Sequence, residues 1–230
     1  MIFRRRSKKD DATDAVDGVP ASADSDAGSV EDADGSAPPA DRSRGPWDRS
    51  ETEHDLDDAT YVDLGGLVLR GAEGLELRLQ VDEQTQTVAS VLLAGPQSGL
   101  ELRAFAAPRH DGIWDEVRSD IAAEAVKRGG TATEQDGEYG TELKVVVPVQ
   151  TPDGRPATQA SRVVGVDGPR WMLRGTFLGN SAQAADPDGV LESAFRAVIV
   201  VRGDEPMAPR TMLPLQLPAQ APPIDDSADA

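Results

Sequence analysis

The chain has 230 residues and a formal net charge of −18, so we expect one or two domains and electrostatic repulsion from nucleic-acid phosphates. It contains no cysteine and two histidines, which excludes thiolate metal sites, disulfides and cysteine nucleophiles and is typical of a reducing compartment. No apolar run approaches the ~20 residues that a membrane-spanning helix needs, and no secretory signal follows the first basic residues, so we expect a cytoplasmic protein.

The first 44 residues are predicted to be disordered. A basic tip at residues 3–9 carries five positive charges, and residues 10–41 then contain ten acidic residues and no basic one. Such a segment buries too little apolar surface to offset the entropy lost on ordering. The basic tip is interpreted in two ways: as a contact for nucleic acid or an anionic membrane, or as a solvated end neutralised by its acidic neighbour. We favour the second interpretation.

Residues 45–60 are predicted to form a docking segment followed by an acidic linker. Trp47 stands in an otherwise featureless stretch. Burying an aromatic side chain removes about 150–250 Å² from water, so Trp47 is expected to dock on the domain or on a partner.

Residues 61–203 are predicted to form one folded domain. Alternating apolar and polar residues indicate β-strands, and these predicted strands lie at 67–69, 75–81, 87–93, 100–106, 139–149, 160–166 and 170–177. A first helix is expected to begin at Asp111 as N-cap and to stop at Gly129, and a second to begin at Asp186. Residues 199–202 fit either a short closing strand or the end of that helix, and residues 204–230 form an extended arm with an acidic, disordered end.

The order of these elements favours an α+β fold. Strands that follow one another in meanders, with a helix after each group, predict a mainly antiparallel sheet with two helices packed on it. The acidic N-terminal tail and the C-terminal arm flank this domain.

No residue pattern predicts a catalytic, metal-binding or cofactor-binding site. The chain lacks the clustered ligands of a metal site, the lysine of a phosphate-binding loop and the serine motif of a nucleophile elbow. We therefore expect no cofactor.

Arginines in the central hairpin are the remaining candidates for a binding site. Arg170 and Arg174 are separated by an even number of residues and are expected to point outward from one strand face, with Trp171 on the other. Together with Arg162 and Trp47 they are the candidate contacts for an anion or a partner, because guanidinium groups suit carboxylates and phosphates. The alternative, which we favour, is an ordinary wet sheet face on which these arginines pair with acids such as Glu101 and Glu142.

Several sequence blocks resemble an uncharacterised actinobacterial family, the domain of unknown function numbered 3710. The resemblance covers residues 45–217 and rests on 44–48 (RGPWD), 62–67 (VDLGGL), 102–108 (LRAFAAP) with 112–114 (GIW), 164–171 (VGVDGPRW) with 173–175 (LRG), and 200–203 (VVRG) with 206–210 (PMAPR). It implies a cytoplasmic protein with a charged, low-complexity front, and it supplies no catalytic residue.

Three hypotheses for function follow, in order of preference. The first is a non-enzymatic binding or scaffold module that holds a protein partner or a second copy of itself. The second is a small-molecule binder, or an enzyme whose site has no recognisable motif. The third is contact with nucleic acid or an anionic membrane through the basic N-terminal tip.

Overall fold

The computed structural model describes residues 42–53, 58, 60–82 and 87–217. The predictions for the basic tip, for the acidic stretch at 10–41 and for the acidic C-terminal end lie outside these described residues. Arg42 and Arg44, which the sequence assigned to the disordered tail, are described and form ion pairs with Glu51 and Glu138.

A seven-stranded antiparallel sheet forms the centre of the fold. Its strands lie in the spatial order β4-β5-β6-β10-β9-β8-β7. Their bounds are β4 Glu76–Asp82, β5 Thr87–Ala94, β6 Ser98–Ala106, β7 Thr131–Gly137, β8 Gly140–Gln150, β9 Pro156–Gly168 and β10 Trp171–Gly179.

A smaller, mixed sheet packs on one face of the large one. Its strands are β1 Trp47–Asp48, β2 Tyr61–Asp63, β3 Leu67–Arg70 and β11 Ile199–Val200, in the order β1-β11-β3-β2. β1 runs parallel to β11 and the other pairs are antiparallel. The segment expected to dock is therefore a strand of this sheet.

The apolar residues of the large sheet divide between two cores because neighbouring side chains on a strand point to opposite faces. On one face, Leu102 of β6 and Leu173 of β10 pack with the smaller sheet and with Phe195 of the second helix. On the other face, Met172 of β10 and Leu143 of β8 pack beneath the first helix.

The described residues contain two α-helices, α1 (Trp114–Lys127) and α2 (Val190–Arg196). The prediction that Asp111 caps α1 is wrong. The cap comes from another strand: the Asp167 carboxylate of β9 accepts hydrogen bonds from the backbone N–H groups of Ile113 (2.9 Å) and Trp114 (3.2 Å). The second helix has Gly189 as its N-cap, three residues after the predicted Asp186.

Residues 210–217, here called the C-terminal strap, run along the end of β6. The backbone N–H groups of Arg210 and Leu213 donate to the carbonyl oxygens of Ala106 and Ala104. Leu213 and Leu215 are buried, so this part of the predicted arm contributes to the core.

The predicted fold class is confirmed: two α-helices and a mainly antiparallel sheet, with a smaller mixed sheet beside it. No α-helix in the described ranges has the length and apolar character needed to cross a membrane.

Candidate functional site

Trp47, the first of the predicted contact residues, lies in β1 opposite Ile199 of β11 and is half-buried. Its neighbour Asp48 is buried and accepts a hydrogen bond of 2.7 Å from the indole Nε1 of Trp171. Trp47 therefore docks on the folded body, and its segment anchors the central hairpin of β9 and β10.

Arg170 does not lie on a strand, contrary to the prediction. It occupies the turn between β9 and β10 in a left-handed conformation, with φ of 62°. Its Nη2 donates to the carbonyl oxygen of Gly203 at 2.8 Å and lies 3.6 Å from the Asp204 carboxylate. Because it is in the turn, Arg170 shares no strand face with Arg174.

Arg162 is buried, so the prediction of a wet face is wrong for this residue. Its guanidinium donates to the carboxylates of Glu142, at 2.9 Å, and Glu192, and its side chain is 4% exposed. We call Glu142, Arg162 and Glu192 the buried charge trio. Arg162 pairs with Phe177 across the strands and stacks on its ring at 4.0 Å, so it points toward the core beneath the smaller sheet.

Arg174 lines a surface groove. It extends from the middle of β10 toward α1, on the face opposite the buried charge trio. Its Nε is shielded from solvent and has no hydrogen-bond partner among the described residues. Its guanidinium carbon lies 5.5 Å from the centre of the Phe105 ring, within range of a cation–π interaction.

The groove between α1 and the large sheet has a volume of about 460 Å³, and we call it the α1 groove. Its floor carries Arg174 and Thr176 of β10, and its walls are apolar side chains, including Val117, Ile121, Val145 and Val147. The apolar side chains of α1 thus both anchor the helix and line a cavity.

The electrostatics of the floor leave one positive charge uncompensated. Arg103 of β6 lies directly opposite Arg174, and its Nε donates to Glu101 at 2.6 Å. Burial lowers the pKa of Arg174, and the neighbouring Arg103 charge lowers it further, against a smaller opposing effect of Glu101. An anion that entered the groove would contact a guanidinium that is partly shielded from water and has few polar partners in the protein.

The rim of the α1 groove carries paired charges. Arg210 of the C-terminal strap forms an ion pair with Asp120 of α1. Glu124 lies 3.7 Å from Lys127 on the same helix. The Arg210 bridge fixes the strap to the helix at one edge of the groove.

Glu142 is predicted from the sequence as an acid that pairs with the arginines of the central hairpin, whereas Glu192 is missed. Glu192 lies in the second predicted helix, and no signal in its spacing marks it as buried. Burial raises the pKa of Glu192, with attraction from Arg162 acting in the opposite direction. Arg162 lies directly opposite Phe177 and therefore shares its buried sheet face. The burial of Arg162 could have been predicted from this pairing, but only with the strand register known.

Metal ligation has no candidate in the part of the chain that the structure describes. No three His, Asp or Glu side chains there lie close enough together to hold an ion.

Comparison with protein families gives a match. A family model described as "Protein of unknown function (DUF3710)" matches residues 45–223, a range that includes every strand and helix above. No curated protein matches the chain.

Proposed function

We propose a function from the α1 groove, because this chain belongs to the family described as "Protein of unknown function (DUF3710)" and that description assigns none. The protein is a non-enzymatic binding module of the cytoplasm. It takes up its ligand or partner through an anionic group that pairs with Arg174.

The observation that carries the proposal is the buried, unpartnered Nε of Arg174, a residue that lines the groove. Its Nε is removed from solvent without a protein acceptor among the described residues. Buried polar groups in folded proteins are nearly always hydrogen-bonded, and an unsatisfied one costs about 1–3 kcal/mol. An anion in the α1 groove would pair with the charge of this guanidinium, because Arg174 lines the groove.

The contrast with Arg162 supports a binding role over a structural one. Arg162 leaves the same hairpin on the opposite face and has two carboxylate partners. Arg174 has a ring and a second arginine close by, and the nearby Glu101 carboxylate is hydrogen-bonded to that second arginine. A charge kept where it does not stabilise the fold is typical of a functional site.

One identical substitution at the two arginines tests this distinction. Arg174→Met removes a poorly solvated cation and is expected to leave the free energy of unfolding unchanged or higher by about 1 kcal/mol. Arg162→Met is the matched control and is expected to lower it. A loss above about 1 kcal/mol in Arg174→Met would assign Arg174 a structural role.

Binding itself is tested on the full chain by NMR, with sodium acetate and inorganic phosphate as separate probes. The Nε–Hε signal of Arg174, assigned by its absence from Arg174→Met, should shift saturably with at least one probe. The proposal is wrong if neither anion shifts this signal.

A further inference from the structure

We propose that the ligand of the α1 groove is a small monoanion with an apolar body, its carboxylate held by Arg174 and its hydrocarbon part against α1. This inference rests on the proposed function and adds the chemical class of the ligand. Four features of the groove support it.

The first feature is the charge of the floor. Arg103 and Arg174 face each other across β6 and β10, and Glu101 neutralises Arg103 through a 2.6 Å hydrogen bond. The floor therefore holds a surplus of one positive charge. One negative charge on the ligand balances it.

The second feature is the mixed charge of the rim. The carboxylates of Asp120 and Glu124 line the groove together with the guanidinium groups of Arg128 and Arg210. Asp120 and Glu124 are already matched by Arg210 and Lys127. A ligand with several negative charges, such as a polyphosphate, would place the additional charges near these carboxylates, and like charges repel at this range.

The third feature is the apolar wall. α1 contributes Val117, Ile121 and Ala125, and β8 contributes Val145 and Val147. These side chains offer no hydrogen bond to a hydrophilic ligand, whereas a hydrocarbon body buried against them gains about 25 cal/mol per Å².

The fourth feature is the combination of size and polar neighbours. A volume of about 460 Å³ lies in the range of small-molecule sites, roughly 300–1,000 Å³. The hydroxyls of Ser161 and Thr176 lie on the same sheet face as Arg174 and line the groove. They are available to bind the second oxygen of a carboxylate.

The experiment compares four probes by titration calorimetry on the full chain: octanoate, the neutral octanamide, acetate and inorganic phosphate. Octanoate should bind at least on the order of tenfold more tightly than each of the other three, because it alone has both the charge and the apolar body. Arg174→Met should weaken octanoate binding by on the order of tenfold or more.

Two substitutions on α1 test the apolar wall. Val117→Thr keeps the side-chain shape but adds a hydroxyl inside the groove, and it should weaken octanoate binding roughly threefold to tenfold. Val126→Thr makes the same change at a side chain that is 65% exposed on the same helix, and it should leave octanoate binding unchanged.

Failure of this inference is distinguishable from failure of the proposed function. If acetate or phosphate binds in an Arg174-dependent way with an affinity equal to or above that of octanoate, the ligand is not an apolar monoanion. The proposed function, an anion-binding groove, would still stand. Octanoate binding that Arg174→Met does not weaken would overturn the inference, and absence of any Arg174-dependent anion binding would overturn both.

Discussion

At the scale of single residues, two arginines from one hairpin have opposite surroundings. Arg162 lies between two buried carboxylates, and Arg174 faces a groove with no acceptor for its Nε among the described residues. A buried ion pair adds little net stability over an apolar core, but removing one member leaves an uncompensated charge. The two positions therefore respond differently to loss of the cation.

Arg162→Met is expected to lower the free energy of unfolding by about 3–5 kcal/mol at pH 7, because Glu142 and Glu192 would remain buried without their cation. Chemical denaturation measures the loss. Arg155→Met is the control: its side chain is 81% exposed and pairs with Asp153 in a turn. The control should change stability by no more than about 0.5 kcal/mol, and an equal effect in both variants would contradict a special role for the trio.

Glu192→Gln is expected to change how stability depends on pH. Burial raises the pKa of Glu192 above its ordinary value of 4.5 even though Arg162 beside it acts to lower it, and the nearby charges of Glu142 and Glu138 raise it further. The folded state therefore holds this proton more tightly than the unfolded chain, and the resulting stabilisation is lost as pH rises from 4.5 through the raised value.

Denaturation curves of wild type and Glu192→Gln, collected side by side across the acidic pH range, check the direction of this pH dependence. The free energy of unfolding of wild type minus that of the variant should fall as pH rises through this interval. A difference that rises with pH would mean that the attraction of Arg162 outweighs burial.

At the scale of elements, the position of α1 depends on contacts with β9. Asp167 caps the helix from the end of β9, and the Trp114 ring lies directly over Gly165 of the same strand. The indole Nε1 of Trp114 also donates to the carbonyl oxygen of Thr141 at 2.8 Å. These contacts set the height of α1 above the sheet and hence the depth of the α1 groove.

Gly165→Ala tests this close approach. A Cβ at this position would overlap the Trp114 ring, which has no room to yield because it is buried. We expect the melting temperature to fall and the free energy of unfolding to decrease by about 1–3 kcal/mol or more. Gly71→Ala is the control because its Cβ would meet only the carbonyl oxygen of Thr60 at 3.4 Å; a similar loss there would rule out the ring contact as the cause.

Strands with one buried face were predicted well from the sequence, whereas strands with mostly exposed side chains were predicted poorly. Residues 75–81 alternate strictly and correspond to β4, whereas β7 was missed because Thr131–Gly137 is an edge strand with mostly exposed side chains. The start of α1 was misplaced because its cap, Asp167, is distant in sequence. Arg174 was a candidate from the outset, but its groove depends on strand register and helix position, which local patterns do not encode.

At the scale of the whole molecule, the C-terminal strap joins the two sheets. Leu213 donates its backbone N–H to Ala104 of the large sheet, and the carbonyl oxygen of Pro214 accepts from Gly66, which precedes β3 of the smaller sheet. Leu215 bridges to Gly65 and to Val88 of β5. At its other end, Arg210 pairs with Asp120 on α1. One short segment thus contacts both sheets and the helix that covers the groove.

Two substitutions on the strap test whether it is part of the cooperative fold. Leu213 is 3% exposed and Leu217 is 49% exposed. Leu213→Ala should lower the free energy of unfolding by about 2–5 kcal/mol, because it removes buried methyl groups and leaves a cavity between the sheets. Leu217→Ala removes the same atoms from a solvent-exposed position and should have an effect within about 0.5 kcal/mol. If both variants lose equally little free energy of unfolding, the strap lies on a body that is already stable without it. The Arg210–Asp120 ion pair would then attach the strap to the rim of the groove without stabilising the groove.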